Sequence, residues 1–187
     1  MHLDDGSLFL FDSFLPVAAR LELGLELDES LFSELESAAE LFSCQRRALS
    51  LLARAEQCRW GLSAKLARKG FSRDAVSSSL DKLESVGLLD DYRFAETWVR
   101  YRLQSQPEGP SRLRGALMAK GVSSTVAREA VDAILEEIGD EDSDDALERA
   151  WVKLSRRPGI SNEKLTAALV RKGFKFSKIR VLLSGKE

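Results

Sequence analysis

The pattern of leucines and glycines repeats three times along the chain. In each copy two leucines stand eight and four residues before a glycine, a lysine directly precedes that glycine, and an apolar residue follows it. The copies end at Gly70, Gly121 and Gly173, which are 51 and 52 residues apart. Leucines four residues apart lie on one face of a helix, and a glycine just past its end adopts the left-handed conformation that closes a helix. A fixed period of this size indicates a repeated supersecondary unit.

Apolar residues on either side of each copy predict two further helices per unit. Val76, Leu80 and Leu83 recur at helical spacing after the first glycine, and similar patterns follow the other two. Opening helices are predicted at 46–57, where Gly61 ends the helix, at 92–104, and after a polar connection at 140–142. We therefore divide the repeats into three-helix units at 44–89, 90–139 and 140–187.

The first 43 residues carry no copy of the repeat. Residues 8–11 and 20–27 are β-like, and the second stretch alternates apolar and polar residues strictly. A helix is predicted from Asp28, with Leu31, Leu35 and Ala38 on its buried face. Residues 1–43 are thus predicted to be an accessory segment that contains a β-hairpin and a helix.

Charge is divided unevenly along the chain, although the net charge is only −2. Residues 1–43 hold ten acidic residues and one basic residue, whereas 44–187 hold 27 basic and 20 acidic residues. Within the repeats, 129–148 contain ten acids and no base, and 149–187 contain eleven bases and two acids. A cationic surface of this kind attracts nucleic acid or an acidic protein surface, or it serves as a solvated face.

The residues required by the common catalytic and cofactor sites are missing. The only histidine is His2, and the chain has no phosphate-binding glycine loop and no Cys-x-x-Cys. Cys44 and Cys58 are interpreted as free core thiols, and Trp98 and Trp151 as core residues. We expect no enzymatic activity, no metal and no cofactor. With no apolar run of bilayer length and no secretory signal, we expect a cytoplasmic protein.

Four blocks of sequence resemble the RecX family of bacterial recombination regulators. They are 62–71, 87–95 (Gly-Leu-Leu-Asp-Asp-Tyr-Arg-Phe-Ala), 109–113 (Gly-Pro-Ser-Arg-Leu) and 117–122 (Leu-Met-Ala-Lys-Gly-Val), and the resemblance covers about 46–185. The positions that match the family pattern best are Asp91, Arg93, Phe94, Arg102, Gly109, Pro110 and Gly121.

The resemblance implies an all-α fold of three tandem three-helix repeats, which we expect to form an elongated curved array. It also implies a function. RecX-like proteins bind the RecA recombinase filament in its groove, bridge neighbouring subunits, and lower its ATPase, strand-exchange and co-protease activities. Members also show some affinity for DNA. The family acts by binding, so the resemblance assigns no catalytic residue.

Two hypotheses follow for the basic repeats. The first is a monomeric protein that binds the RecA filament through exposed bases of the second and third units. The second is a direct binder of single- or double-stranded DNA, built from units that resemble helix-turn-helix modules, although the acids of 129–148 interrupt its basic track. The predicted partner-binding residues are Arg93, Arg100, Arg102, Arg112, Arg114, Lys120, Arg171, Lys172, Lys175 and Arg180.

Overall fold

The computed structural model describes residues 8–10, 18–22, 24–156 and 159–185, with the side chains of all of these except 140–143. Within these ranges the chain forms helices and no β-strand, which confirms the all-α prediction. The elements are a 3-10 turn at Ala18–Arg20 and the helices α1 Glu29–Leu52, α2 Arg59–Ala67, α3 Arg73–Ser85, α4 Asp91–Ser105, α5 Pro110–Met118, α6 Ser124–Ser155, α7 Asn162–Arg171 and α8 Phe176–Ser184. Among the described helices, none has both the length and the apolarity needed to cross a bilayer.

The chain forms two compact units, the first ending at Asp90 and the second beginning at Asp91. In the first unit α2 and α3 pack on the C-terminal half of α1. The leucines of the first repeat, Leu62 and Leu66, are fully buried there. They belong to one core cluster with Ala48 of α1 and Leu80 of α3. The first three-helix unit thus has a core of its own.

Two details of the first unit differ from the prediction. The opening helix ends at Leu52, and Gly61 lies inside α2 instead of ending a helix. The cap of α2 is Cys58, whose sulfur accepts a hydrogen bond from the Gly61 N–H at 3.4 Å. Cys44 and Cys58 are both buried thiols that form no disulfide, as predicted. Burial raises the pKa of the Cys44 thiol.

The N-terminal segment shares a helix with the first repeat. The helix predicted from Asp28 and the opening helix of the repeat are one continuous helix, α1. The strand predicted at 20–27 is wrong for its described residues: Arg20 ends the 3-10 turn, and residues 21–22 and 24–27 form neither helix nor strand. Two of the alternating leucines pack against α1: Leu21 and Leu27 contact the cluster of Leu31 and Leu35. In the other predicted stretch, 8–11, the described residues 8–10 show an isolated bridge at Leu8 and no strand, and Phe11 lies outside the described residues.

The second unit contains the other two repeats, and α6 belongs to both. The second repeat consists of α4, α5 and residues 124–138 of α6, and its leucines Leu113 and Leu117 are fully buried. The third repeat consists of 140–155, α7 and α8, and its leucines Leu165 and Leu169 belong to one core cluster with Ile179. Three repeats of three helices therefore follow one another along the chain.

Glycines with positive φ end or break the helices where the sequence pattern requires it. The three repeat glycines, Gly70, Gly121 and Gly173, have φ of 90°, 91° and 88°. This left-handed conformation costs a glycine little, because a glycine has no Cβ. Gly139, with φ 76° and ψ 174°, divides α6. The connection predicted at 140–142 is helical. Gly139 is therefore the single non-helical residue along the chain between the last helix of the second repeat and the first helix of the third.

Candidate partner-binding surface

Acids of α6 balance two of the predicted partner-binding bases. The guanidinium of Arg100 on α4 donates two hydrogen bonds to the Glu137 carboxylate, Nη1 to Oε1 at 2.7 Å and Nη2 to Oε2 at 2.5 Å. This pairing raises the pKa of Arg100 and lowers that of Glu137. Arg114 on α5 donates a single hydrogen bond, from Nη2, to Oδ1 of Asp132. Both acids belong to the run at 129–148, so that run reduces the positive charge of the second repeat.

Two more predicted bases lie against the indole ring of Trp98. The guanidinium carbon of Arg102 and the ammonium nitrogen of Lys120 are each 5.7 Å from the centroid of the ring. A cation within about 6 Å of an aromatic centroid is attracted by the ring quadrupole. Trp98 is half-buried. The ring thus holds two basic side chains in place, and it is not an exposed platform for stacking a nucleic-acid base.

A buried carboxylate anchors the loop between α4 and α5. Glu108 is only 7% exposed, and it accepts hydrogen bonds from Arg102 Nε at 2.8 Å and Arg102 Nη2 at 3.2 Å. These bonds raise the pKa of Arg102. The Nε of Arg112 lies 3.9 Å from the same carboxylate. Since a buried charge is costly without a partner, Glu108 and Arg102 fix each other and the loop between them.

Residues 107–112, which include the start of α5, contact the turn at 172–174 through their backbones. We call this contact the joint. The N–H of Gly109 donates to the Lys172 carbonyl at 2.8 Å. A Cβ on Gly109 would lie 2.2 Å from the carbonyl oxygen of Gly173, and a Cβ on Gly173 would lie 2.4 Å from the Arg112 nitrogen. No side chain fits at either position. The two glycines therefore let the second and third repeats pack in direct contact.

The joint brings together predicted bases from both repeats. Lys172 is half-buried and its Nζ donates to the Pro107 carbonyl at 3.4 Å. Arg112, which is 61% exposed, lies on the other side of the contact. The structure thus places Arg102, Arg112 and Lys172 around the loop between α4 and α5. The predicted base Arg93 is half-buried on α4.

Three predicted bases of the third repeat differ from the others. Arg171, Lys175 and Arg180 are exposed, and none of them has an ion pair with a residue that the structure describes. Arg171 is the last residue of α7, Lys175 directly precedes α8, and Arg180 lies on α8. These three side chains, which we call the α7–α8 cations, are the part of the predicted site whose charge is available to a partner.

The sequence pattern did not predict Glu108 as an anchor or the glycine contact at the joint. An acid between Pro107 and Gly109 resembles any polar loop residue, and the two glycines were predicted as a turn and a helix end. Which acid of α6 faces which base of α4 or α5 depends on helix packing, and the sequence alone does not define it. In the described part of the chain, no three His, Cys, Asp or Glu side chains are grouped as metal ligands would be.

Three tandem three-helix units place the chain among helical-repeat proteins. Comparison with protein-family models supports the division into three-helix units for the first two repeats. The family model "RecX, first three-helix domain" matches residues 44–83, and "RecX, second three-helix domain" matches 90–131. The chain is 35% identical over 147 residues to Regulatory protein RecX of Treponema pallidum, covering 79% of this chain and 87% of that protein. It is 34% identical over 139 residues to the Chlorobium phaeobacteroides protein of the same name, covering 73% and 88%.

Solved structures show the same fold. A crystal structure of regulatory protein RecX has a TM-score of 0.82 and 24% identity, covering 98% of this chain and 91% of that one. RecX from Lactobacillus salivarius has a TM-score of 0.65 and 22% identity, covering 78% and 96%. The chain belongs to the RecX family of regulatory proteins.

Proposed function

We propose that the protein binds filaments of the RecA recombinase in their groove and lowers RecA's ATPase, strand-exchange and co-protease activities. The family resemblance implies this role, and the family is one of regulatory proteins. The proposal places the protein in the bacterial cytoplasm, as a monomer that binds RecA without a cofactor.

The observation that carries the proposal is the exposure of the α7–α8 cations, two of which, Arg171 and Lys175, flank the 172–174 turn of the joint. Arg171, Lys175 and Arg180 offer charge that no described acid balances. The backbone contact between Gly109 and the 172–174 turn fixes these cations relative to Arg112 of the second repeat. A preformed arrangement of charges loses less entropy on binding than a flexible one, and it favours a partner with acidic groups at matching positions.

Direct binding of DNA through the same bases is less well supported. Arg100, Arg102 and Arg114 are held by Glu137, Glu108 and Asp132. Phosphate contacts made by these side chains would require those pairs to break, or the acids to lie close to the phosphates. An acidic partner protein can instead use the smaller set of exposed cations.

The proposal predicts that the α7–α8 cations contribute to RecA binding. Replacing Arg171, Lys175 and Arg180 by Gln removes three exposed charges from the second unit. If each is worth about 0.5 kcal/mol, the affinity for RecA filaments falls about tenfold. Binding is measured by co-sedimentation with filaments formed on single-stranded DNA with a non-hydrolysable ATP analogue.

The matched control replaces Arg128, Lys153 and Arg156 by Gln. It removes the same number of arginines and lysines from exposed positions of the same unit, outside the proposed site. The control should bind nearly as well as the wild type. Equal losses in both variants would show that only net charge matters and would reject the α7–α8 cations as the site.

A further inference from the structure

The first residue of the third helix differs in character between the repeats. The helices α3, α6 and α8 all begin three residues after the repeat glycine, and their first residues are Arg73, Ser124 and Phe176. All three side chains are exposed, that of Phe176 to 60%. At this position water therefore faces a guanidinium or a hydroxyl in the first two repeats and a phenyl ring in the third.

The core of the third repeat does not use the ring of Phe176. The aromatic residue of that core is Phe174, which directly follows the repeat glycine, is 8% exposed and belongs to one cluster with Leu165 and Leu169. Phe176 is not among the residues of that cluster. A ring that stays in water gains no hydrophobic stabilisation from folding. Packing within the repeat therefore does not account for an aromatic residue at position 176.

The residue before α8 also departs from the other repeats. Ser72 and Ser123 cap α3 and α6, and each side chain accepts a hydrogen bond from the backbone N–H three residues further on. Lys175 occupies this position before α8 and makes no side-chain cap hydrogen bond. A cation there also faces the positive end of the helix dipole. Lys175 and Phe176 thus do not favour the fold, and residues that break local rules are expected at functional sites.

The exposed ring belongs to the same part of the surface as the α7–α8 cations. Phe176 and Arg180 are four residues apart, so they lie on one face of α8, and Lys175 directly precedes the ring. Neither cation has an ion pair with a described residue. Aromatic and arginine side chains contribute most of the binding energy in protein interfaces. The third repeat thus presents this combination in exposed form.

We propose that Phe176 is the apolar anchor of the surface formed by the α7–α8 cations, and that it inserts into an apolar pocket with an acidic rim on the RecA filament. This inference rests on the proposed function, because it names the partner chemistry at the same site. Charge complementarity selects such a pocket, since Lys175 and Arg180 require carboxylates beside the place that takes the ring. The ring supplies affinity by leaving water, and the cations supply orientation.

The ring is tested by co-sedimentation of the full chain with RecA filaments at several salt concentrations. Phe176→Ser gives the third repeat the residue of the second repeat at this position, and it should bind about tenfold more weakly. Its salt dependence should be unchanged, because no charge is removed. Phe176→Leu keeps an apolar side chain and should lose about threefold at most. Urea denaturation should show that both variants are as stable as the wild type, since the ring is exposed.

The matched control is Val181→Ser. Val181 is 73% exposed on the same helix, and it lies about 140° round the helix axis from Phe176. The variant removes an exposed apolar side chain from α8 without touching the proposed anchor. It should bind within about twofold of the wild type, because its side chain lies outside the proposed contact.

Lys175→Ser separates binding from stability. It restores the cap that the other two repeats use, so the urea midpoint should rise. The affinity for RecA filaments should fall about two- to threefold, because a cation of the proposed contact is lost. Higher stability with undiminished binding would show that Lys175 has no part in the contact.

Three results would overturn the proposal while the wild type binds filaments. They are equal binding by Phe176→Ser, an equal loss in Val181→Ser, or a dimer of the chain alone in sedimentation velocity that Phe176→Ser dissociates. Equal binding by Phe176→Ser leaves the proposed RecA function intact. A wild type that does not bind filaments contradicts that function and the anchor together.

Discussion

At the level of single residues, the same amino acid has different roles in the two halves of the basic surface. Arg100, Arg102 and Arg114 are held by carboxylates, whereas Arg171 and Arg180 are exposed cations. The sequence predicted that bases gather in this region, because their number and position can be counted. It did not predict which of them are neutralised, because that depends on how α6 packs against α4 and α5.

Glu108 offers the clearest test at this scale. Replacing it by Gln leaves Arg102 partly buried without its charged partner and removes the anchor of the loop. We expect the free energy of unfolding to fall by about 2 kcal/mol, measured by urea denaturation.

The control is Glu137→Gln, which breaks an ion pair between largely exposed groups. Such pairs contribute little in water, so this variant should be far closer to the wild type. If the two variants lose equal stability, Glu108 has no special role in anchoring the loop.

At the level of the helices, the period of the leucines and glycines predicted most of the fold. It gave the positions of α2, α5 and α7, the glycine that ends each of them, and the helices on either side. It failed where packing overrides local pattern. Residues 20–27 alternate like a strand, yet Leu21 and Leu27 pack on the face of α1 formed by Leu31 and Leu35. The division of the chain at residue 43 stays a proposal, and α1 runs across it.

The joint is tested by three glycine-to-alanine variants. Gly70→Ala introduces left-handed strain alone, since a Cβ there meets nothing within 4 Å, and should cost about 1–2 kcal/mol. Gly173→Ala adds a collision with Arg112 to the same strain, and Gly109→Ala adds a collision with Gly173 at an ordinary φ of −84°. We expect a further loss of about 1–3 kcal/mol from each collision.

The measurement is again urea denaturation of the full chain. Gly173→Ala should be the least stable variant. Wild-type stability in Gly109→Ala, or equal stability in Gly70→Ala and Gly173→Ala, would show that the two repeats do not meet at the joint in solution.

At the level of the whole molecule, the chain is a RecX-family protein of three tandem three-helix repeats, and its charge is distributed between distinct surfaces. The first unit carries a basic groove, lined by Arg46, Arg47 and Lys69 and without acids in its described lining, and the second unit carries the α7–α8 cations. We propose that the RecA filament binds the α7–α8 cations. That the repeats form a curved array stays a prediction.

The most direct test of the proposed regulatory role is the rate of ATP hydrolysis by RecA on single-stranded DNA, measured against increasing concentrations of the full chain. We predict that the wild type lowers this rate, and that the variant with Gln at positions 171, 175 and 180 requires about tenfold more protein for the same effect. An unchanged rate at concentrations that saturate the filaments would contradict the proposed function.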